Sequence, residues 1–409
     1  MNMSEKSTQS TGPLKGLKVI DMTAVLMGPY CTQMLGDMGA DVIKVEPPDG
    51  DMVRQIGPAR HADMGPIFLN TNHSKRSIVI DLKKKEGLDV LTRLLKYADI
   101  LVYNVRPQAM ERLGLSYENV KAINPGIIYT GVFGFAQNGP YAARPAYDDL
   151  MQGASTLASL FSRSTGGPPQ YVPNALCDRI TGMSAVGLIL AAVYERQSSG
   201  MGQRIDVPMF ETMVNFVLSD HMSGLTFDPP LDQGGYARQL SKSRRPYQTS
   251  DGYISALIYT DKHWQNFFRA IGKEQDFLQN PLYSTFSARS NNIDAIYAEL
   301  ESILRTRSTQ DWLECLTAAD IPASIVHDFQ TIFEDPHLVE TEFFGMQEHP
   351  SEGKLRTMKF PSAWSRTQPE ATRPAPRHGE HTEEILREIG MSDDQINHLS
   401  NQSVVQSAT

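Results

Sequence analysis

The sequence predicts an α/β fold in which helices cover both faces of a parallel sheet. Residues 17–22 form a short apolar segment typical of a buried strand, residues 29–39 have a helical pattern, and residues 41–46 again resemble a strand. Strands that are apolar along their whole length are buried on both faces, which is usual in parallel sheets. The alternation continues with strand-like segments at residues 77–82, 99–103, 127–132 and 203–209 and helical segments at residues 86–98, 107–124 and 211–225.

The length of the chain predicts more than one domain. A chain of 409 residues exceeds the size at which a single core keeps growing, so two domains are expected. After residue 225 the pattern becomes mostly helical, with strands of its own at residues 252–259 and 323–327. We therefore predict a disordered tail at residues 1–13, a large domain beginning with residues 14–225, a small domain at 226–327 and a connector at 328–353. Beyond the connector we predict a strand at 354–362 and helices at 380–399.

Composition excludes several classes of function. The formal net charge of -9 argues against nucleic acid or an anionic membrane surface as a partner. Three cysteines, Cys31, Cys177 and Cys315, are too few and too scattered for a disulfide framework or a zinc site, and they suit a reducing cytoplasm. The first residues lack the apolar segment of a signal peptide, and no apolar run reaches membrane-spanning length. We therefore expect a cytoplasmic protein without a metal site.

Several common catalytic and nucleotide-binding motifs are absent from the sequence. Neither G-x-G-x-x-G after a strand nor G-x-x-x-x-G-K-[ST] occurs, and the G-x-S-x-G nucleophile elbow is missing. Ligands of a parallel sheet bind at the carboxyl ends of its strands. Those ends are followed by residues 23–28, 47–54, 104–107 and 131–140, which are therefore candidates for a binding site.

The stretch from residue 174 to residue 204 contains the most informative carboxylate. Residues 183–194 are apolar almost all round, which predicts a helix buried in a large core, and Gly200 follows as a helix stop. Asp178 precedes the apolar run. One interpretation is a helix N-cap whose oxygen accepts a backbone hydrogen bond. The other is a nucleophile, kept ionised and fixed in direction by the free N–H groups and the positive end of the helix dipole.

Basic side chains near the strand ends could bind phosphate groups. They are Lys75, Arg76, Arg106, Arg112 and Arg54. Guanidinium and ammonium groups pair with phosphate oxygens, whereas the alternative for each of them is a solvated surface charge.

Tyr147 is followed by two carboxylates, Asp148 and Asp149, at the start of a helical segment. Either carboxylate could cap that helix. The functional alternative is that the tyrosine or an aspartate of this group lines a pocket around Asp178.

An ordered set of motifs resembles the class III CoA transferases, which include formyl-CoA transferase, carnitine CoA transferase and the related alpha-methylacyl-CoA racemases. The set begins with L-K-G-L-K-V-I-D-M-T and G-P-Y-C-T-Q-M-L-G-D-M-G-A-D-V-I-K-V-E-P-P. It continues with N-H-S-K-R-S-I-V-I-D-L, A-D-I-L-V-Y-N-V-R-P and N-G-P-Y-A-A-R-P-A-Y-D. It ends with C-D-R-I-T-G, E-R-Q-S-S-G-M-G-Q-R-I-D-V and S-R-R-P-Y-Q-T-S-D-G-Y. No single motif is decisive, but the ordered set covers nearly the whole chain.

The resemblance implies an architecture and a mechanism. The large domain would be Rossmann-like and completed by residues 354–409, the inserted smaller domain would be α+β, and two chains would form a homodimer interlocked like linked rings. The nucleophile would be Asp178, attacking the thioester of a donor acyl-CoA to form a mixed anhydride. The CoA thiolate would then give an aspartyl-CoA thioester, from which CoA passes to a free carboxylic acid. Coenzyme A is a substrate in this scheme, and no cofactor is expected.

The resemblance also implies a CoA site drawn from several strand ends. Its members are Thr23, Ala24, Val25, Lys75, Arg76, Asn104, Arg106, Arg112 and Tyr147. One departure concerns Pro47, which stands near the position of an arginine that contacts the adenosine part in formyl-CoA transferase. Another concerns the glycine-rich loop that covers the site in formyl-CoA transferase, because only Gly234 and Gly235 occupy the corresponding stretch.

Tyr147 separates a transferase from a racemase. The racemases of the family place a histidine at this position and use it with the later aspartate to move an α proton, a task to which a phenol with a pKa of ~10 is poorly matched. We therefore predict an acyl-CoA:carboxylate CoA-transferase. The alternatives are a racemase or epimerase of the same family, or a non-catalytic CoA-binding subunit. The expected partners are an acyl-CoA, with succinyl-CoA as a candidate donor, and a free carboxylic acid.

Overall fold

The structure is a computed structural model that describes residues 12–408. These residues form two compact units. The first unit comprises the described residues up to Ser155, Val172–Val214 and the chain from His337 onward. The second unit comprises Thr156–Tyr171 and Asn215–Pro336. It contains the small domain predicted at residues 226–327 and extends beyond it at both ends. Residues 1–11 of the predicted tail lie outside the described residues.

The strands in chain order are β1 (Lys18–Met22), β2 (Asp41–Glu46), β3 (Lys75–Ile80), β4 (Ile100–Tyr103), β5 (Ile128–Phe133), β6 (Arg204–Pro208), β7 (Tyr247–Gln248), β8 (Tyr253–Ala256), β9 (Ala323–Ile325), β10 (Phe344–His349), β11 (Gly353–Met358) and β12 (Val405–Gln406).

The α-helices in chain order are α1 (Met27–Asp37), α2 (Pro66–Leu69), α3 (Lys85–Lys96), α4 (Pro107–Arg112), α5 (Tyr117–Ile123), α6 (Asp148–Ala154), α7 (Leu157–Thr165), α8 (Leu176–Ser199), α9 (Met209–His221), α10 (Asp261–Ala270), α11 (Glu274–Gln279), α12 (Phe286–Asn291), α13 (Ile293–Leu304), α14 (Thr309–Ala318), α15 (Pro336–Glu340), α16 (Thr382–Glu388) and α17 (Asp393–Asn401).

A seven-stranded sheet forms the centre of the first unit, with the strand order β12-β3-β2-β1-β4-β5-β6. The strands β1 to β6 are parallel, and the short strand β12 pairs antiparallel with β3 at one edge. Every residue of β3, β4 and β5 is buried, as expected for strands covered on both faces. The predicted α/β class with a parallel sheet is therefore confirmed.

The second unit is α+β. Its three strands β7, β8 and β9 form an antiparallel sheet. Helix α10 presents Trp264 and Phe267 to a core that also contains Trp312 of α14, and the rings of Phe267 and Trp312 stack with centroids 6.2 Å apart. Large aromatic side chains bury much apolar surface each, which allows a unit of this size to have a core of its own.

Helix α8 is less buried than its sequence predicts. One side contributes Ala185 and Ile189 to the core, but Met183 and Leu188 are exposed and Tyr194 is 75% exposed. The prediction of a helix buried all round is therefore wrong for the single chain. Among the described residues α8 is the one helix that is long and apolar enough to cross a membrane, by length and composition alone. Its exposed apolar side chains form a surface that a partner could cover.

Candidate active site

The candidate site lies at the carboxyl ends of β1 and β4. The strand order reverses between these two strands, because β2 and β3 lie on one side of them and β5 and β6 on the other. In parallel α/β sheets, ligands bind in the crevice that such a reversal leaves at the carboxyl ends of the strands. Residues 23–25 follow β1 and Asn104 follows β4, so these predicted CoA-binding residues meet at the crevice.

Hydrogen bonds hold the turn after β1 in one conformation. The side-chain oxygen of Asn104 accepts from the Ala24 N–H at 3.1 Å, and its amide nitrogen donates to the Ala24 carbonyl oxygen at 2.8 Å. The Val25 N–H donates to Asp51 Oδ1 at 3.1 Å. Val25 has a φ of 72°, a left-handed conformation that β-branched residues rarely adopt. Such strain persists only where the surroundings determine it, and it is concentrated at functional sites.

Buried charged side chains also hold the turn after β1 in place. Lys44 Nζ donates to the Thr23 carbonyl oxygen at 2.8 Å and to Asp51 Oδ2 at 3.0 Å. Asp21 accepts from the Thr23 N–H at 2.9 Å and pairs with Lys75 at 3.0 Å. All five residues are buried. Since each charge has an opposite partner, the network fixes the turn without leaving an uncompensated charge inside the protein.

The structure gives Lys75 a structural role in place of the predicted phosphate contact. Its ammonium group is fully buried and donates to Asp21 Oδ2, to Asn72 Oδ1 at 2.8 Å and to the Pro29 carbonyl oxygen at 2.8 Å. An ammonium group has three donors, so none is left for a phosphate. Burial lowers the pKa of Lys75 to about 8 despite the attraction of Asp21, so the group is still charged at neutral pH.

Arg76 and Arg54 are likewise committed to carboxylates. Arg76 binds Asp41 at 2.6 Å and two glutamates of α16 at 2.8 and 2.7 Å. Arg54 is buried, binds Glu46 at 2.7 Å and lies over the ring of Phe68 at 3.6 Å. Their suggested phosphate role is therefore corrected to a structural one. The glutamates that neutralise Arg76 lie about 300 residues away in the chain, which local sequence does not reveal.

Arg106 and Arg112 line a cavity of about 630 Å³ beside α4. The remaining lining residues are Gln108, Ala109, Glu111 and Ala143. Among the described residues, neither arginine takes part in an ion pair with a carboxylate, in contrast to Arg76. Both guanidinium groups are exposed and available to an anion, as their predicted role as phosphate ligands requires.

Asp178 lies in the first turn of α8, which begins at Leu176 and is preceded by Ala175. It is therefore not the N-cap that one interpretation of the sequence predicted. Burial is the main cause that raises the pKa of Asp178 to about 7, the charge of Asp148 adds to it, and Arg179 opposes it. No hydrogen bond from a described residue stabilises the charged form. The prediction that the helix terminus keeps this carboxylate ionised is thus corrected, because burial and Asp148 raise its pKa in spite of the helix terminus.

Asp148 caps α8 from a neighbouring helix. Its Oδ2 accepts from the Asp178 N–H at 2.9 Å, and its Oδ1 accepts from Gln152 Nε2 at 2.7 Å. The fully buried Gln152 also donates to the carbonyl oxygens of Val172 and Asn174 and accepts from the Val172 N–H at 2.8 Å. One buried amide therefore fixes both the carboxylate beside Asp178 and the segment that leads into α8.

Helix α1 connects the start of α8 with the strained turn. It begins at Met27, immediately after that turn. A Cβ atom at Gly182 of α8 would lie 2.6 Å from the Met27 carbonyl oxygen, so only glycine permits this close approach of the two helices. The Arg179 guanidinium lies over the ring of Tyr30 of α1 at 4.3 Å. The position of Asp178 is thereby fixed by the same helix that follows the predicted CoA-binding turn.

The remaining predicted residues differ in exposure. Tyr147 precedes α6 and is 62% exposed, so its phenol is accessible. Cys177, next to Asp178, is fully buried, and burial together with neighbouring carboxylates raises the pKa of its thiol to about 12. A buried thiol with a raised pKa is inert as a nucleophile. Pro47 is exposed, and its carbonyl oxygen lies 3.1 Å from His378 Nε2.

Sequence reasoning missed Gln152, Lys44 and Asp51, three residues that organise the site. Gln152 and Asp148 are four residues apart, so they share one face of α6, and this spacing was the available signal. Lys44 is a charged residue between the apolar Ile43 and Val45 in the middle of a strand, a pattern that indicates a buried ion pair. Asp51 had no comparable local signal, because its partners Lys44 and Val25 come from other segments.

Residues 14–382 match the sequence model of CoA-transferase family III, and the chain belongs to this family. The resemblance found in its motifs is thereby confirmed.

Similar proteins include the formyl-CoA:oxalate CoA-transferases of Escherichia coli O157:H7 (strain EC4115 / EHEC) and Shigella dysenteriae serotype 1 (strain Sd197). Each is 35% identical over 412 residues, covering 94% of this chain and 97% of the relative. A solved structure of an aspartate-to-alanine mutant of Rv3272 from Mycobacterium tuberculosis has a TM-score of 0.79 at 28% identity and covers 91% of this chain and 98% of the other. A CAIB/BAIF family protein from Brucella suis has a TM-score of 0.76 at 29% identity, with 92% and 99% covered. Family and relatives support CoA transfer as the activity.

Proposed function

We propose that the chain is an acyl-CoA:carboxylate CoA-transferase in which Asp178 is the nucleophile. The proposal rests on the burial, the hydrogen bonding and the pKa of this carboxylate. It is partly buried at the start of α8, lacks a hydrogen bond from the described residues, and has a pKa raised to about 7. A carboxylate that is weakly solvated and not engaged in an ion pair is available for attack on a thioester. Strongly perturbed pKa values are concentrated at functional sites.

The reaction proceeds without any net proton transfer. Asp178 attacks the thioester carbonyl and the C–S bond breaks. The CoA thiolate departs, and a mixed anhydride of Asp178 and the donor acid is formed. The thiolate attacks the aspartyl carbonyl of the anhydride, and the donor acid leaves as a carboxylate. The acceptor carboxylate then attacks the aspartyl-CoA thioester and expels the thiolate, which leaves a second mixed anhydride between Asp178 and the acceptor. The thiolate attacks the acceptor carbonyl of this anhydride, forms the new acyl-CoA and frees the Asp178 carboxylate. Because no general base is needed, an exposed Tyr147 in place of a histidine is compatible with this chemistry.

The strained turn after β1, together with Arg106 and Arg112, is proposed to hold coenzyme A. Residues 23–25 and Asn104 form the crevice between β1 and β4, and Arg106 and Arg112 provide guanidinium groups for its phosphates. Coenzyme A enters and leaves as a substrate in this proposal. Arg106→Glu is expected to raise KM for acyl-CoA by roughly tenfold or more and to leave KM for the free acid unchanged. Equal changes in both constants would contradict the assignment.

The substrates are proposed from the relatives. Because similar proteins are named formyl-CoA:oxalate CoA-transferases, formyl-CoA as donor and oxalate as acceptor form the first pair to be assayed. Succinyl-CoA is assayed as an alternative donor with the same acceptor. Products are identified by mass spectrometry, and transfer with neither donor would contradict this choice of substrates while leaving the role of Asp178 to a separate test.

The separate test captures the covalent intermediate. The protein is incubated with acyl-CoA and then with hydroxylamine, which converts an anhydride or aspartyl thioester into a hydroxamate. The expected result is a hydroxamate at residue 178, found by peptide mass spectrometry. The racemase alternative predicts no hydroxamate and instead exchange of the α proton of an acyl-CoA with D2O.

We further propose that two copies associate as an interlocked homodimer. The exposed apolar side chains Met183, Leu188 and Tyr194 of α8 support a partner on this face, since such side chains are usually covered in assemblies. Mass photometry at nanomolar concentration is expected to find only dimers. A folded and active monomer would contradict the proposal.

A further inference from the structure

A cavity of about 480 Å³ in the second unit is lined by arginines and by no carboxylate. We call it the arginine cavity. It lies against the paired strands β8 and β9, where Ser255 is directly opposite Ser324. Its lining residues are Arg238, Arg244, Arg245, Pro246, Tyr247, Ser255, Ala256, Leu257, Tyr297, Pro322, Ala323 and Ser324. The volume is in the range of small-molecule sites.

The positive charge of the arginine cavity is only partly compensated. Arg245 pairs with Glu301 at 3.0 Å, but this carboxylate also binds Arg305 at 2.9 Å. Among the described residues, Arg244 takes part in no ion pair. Arg238 has a buried Nε that makes no hydrogen bond within the described part of the chain. Buried donors without a partner are rare in folded proteins, so the unsatisfied Nε indicates a place where an acceptor from outside the chain can bind.

The other walls of the cavity add donors and no competing charge. The rings of Tyr247 and Tyr297 lie 6.2 Å apart in an edge-to-face arrangement. Each phenol has an O–H donor, and the hydroxyl groups of Ser255 and Ser324 add two more. Carboxylate and phosphate oxygens are acceptors only, so an oxyanion matches this set of donors, whereas a cation would meet three guanidinium groups.

We propose that the arginine cavity binds a small polyvalent oxyanion, of the carboxylate or phosphate class, with Arg238 and Arg244 as its main ligands. The site goes beyond the proposed transfer reaction, because none of its residues takes part in the Asp178 chemistry. Carboxylates and phosphates share the charge and the acceptor geometry that guanidinium groups recognise. Which of the two the cavity prefers is decided by the experiment.

The first test is chemical footprinting of the unaltered protein. Phenylglyoxal modifies accessible arginines, and modification is followed by peptide mass spectrometry at constant ionic strength with millimolar oxalate or inorganic pyrophosphate. Either probe is expected to protect Arg238 and Arg244 and to leave Arg269 unprotected, since that exposed side chain of the same unit is paired with Glu274. Protection by oxalate alone assigns the carboxylate class, and protection by pyrophosphate alone assigns the phosphate class. Protection by neither overturns the proposal.

The second test is calorimetric binding of the protecting anion to variants. The double substitution Arg238→Met and Arg244→Met is expected to weaken binding at least tenfold, whereas Arg269→Met, the matched control, leaves the affinity unchanged. Asp178→Asn is expected to bind the anion normally while losing CoA transfer, so failure of one proposal is distinguishable from failure of the other. Unchanged affinity in a correctly folded double variant overturns the site.

Discussion

Asp21 and Asp178 are carboxylates of the same unit whose pKa values change in opposite directions. Burial disfavours the charged form of both. At Asp21, the charges of Lys75 and Lys44 and two threonine hydroxyls outweigh burial and lower the pKa to about 2. At Asp178, burial and the charge of a second carboxylate, Asp148, outweigh the opposing charge of Arg179, and the pKa rises to about 7.

The difference shows that partners, and not burial alone, decide what a carboxylate can do. Asp21 is fully paired, so its charge holds the turn after β1 and is unavailable for chemistry. Asp178 lacks such partners, which makes its ionised form costly for the folded state and leaves its oxygens free to react. The first residue is expected to matter for stability and the second for activity.

The largest expected effect is on activity at Asp178. Asp178→Asn should lower the rate of CoA transfer by at least roughly three orders of magnitude, because an amide cannot form the mixed anhydride. Asp149→Asn, which removes a nearby carboxylate of α6, should retain transfer. The rate is measured by mass spectrometry of the acyl-CoA product. Substantial transfer by the Asp178 variant would show that the nucleophile is another residue.

The next largest effect is on stability at Asp21. Asp21→Asn leaves the buried Lys75 without its counter-ion, and removing one partner of a buried pair costs about 3–5 kcal/mol of unfolding free energy. Asp206→Asn is the control, because the pair of Asp206 and Arg204 is partly exposed and should contribute less than about 1 kcal/mol. Urea unfolding followed by circular dichroism compares them. Equal losses would refute the assigned role of the buried pair.

A smaller effect of opposite sign is expected for the stability of Asp178→Asn. The folded protein binds a proton at Asp178 up to about pH 7, whereas an unfolded chain releases it near pH 4. The unfolding free energy of the native protein therefore falls as pH rises through this window. The Asn variant should gain relative stability across the window, reaching roughly 2 kcal/mol above pH 7 when partial exposure is taken into account. Thermal unfolding at several pH values measures it, and a constant difference would contradict the raised pKa.

The central sheet was predictable because its strands are short, apolar and regularly spaced with helices. Strand β10 lies in the predicted connector, since it has too little apolar alternation to be recognised, whereas β11 overlaps the strand predicted at residues 354–362. Helix α7 ends at Thr165, directly before glycines and prolines whose local pattern is typical of a loop. Strand β12 has only two residues, so its pairing with β3 depends on tertiary contacts.

The candidate site was predictable as a set of positions and not as a set of contacts. Asp178 was found from its place before an apolar helix, but its cap is Asp148 of another helix, which spacing along the chain does not reveal. Lys75 and Arg76 were assigned to phosphate as basic side chains near strand ends. The assignment was wrong because their carboxylate partners come from other segments and are not recognisable in the local sequence. Charges are readable from sequence, whereas their neutralisation is a property of the fold.

The smallest expected effect separates the two causes that raise the pKa of Asp178. Asp148→Asn removes the neighbouring negative charge, while its side-chain oxygen can still accept the Asp178 N–H. Since burial is the larger cause and is retained, the pKa of Asp178 should fall from about 7 by less than roughly one unit. The acidic limb of kcat/KM against pH reports this pKa in the free enzyme, so the variant should keep more of its own maximal activity below pH 7 than the native protein. Asp149→Asn is the matched control and should leave the limb in place. An unshifted limb in the Asp148 variant would leave burial as the sole cause.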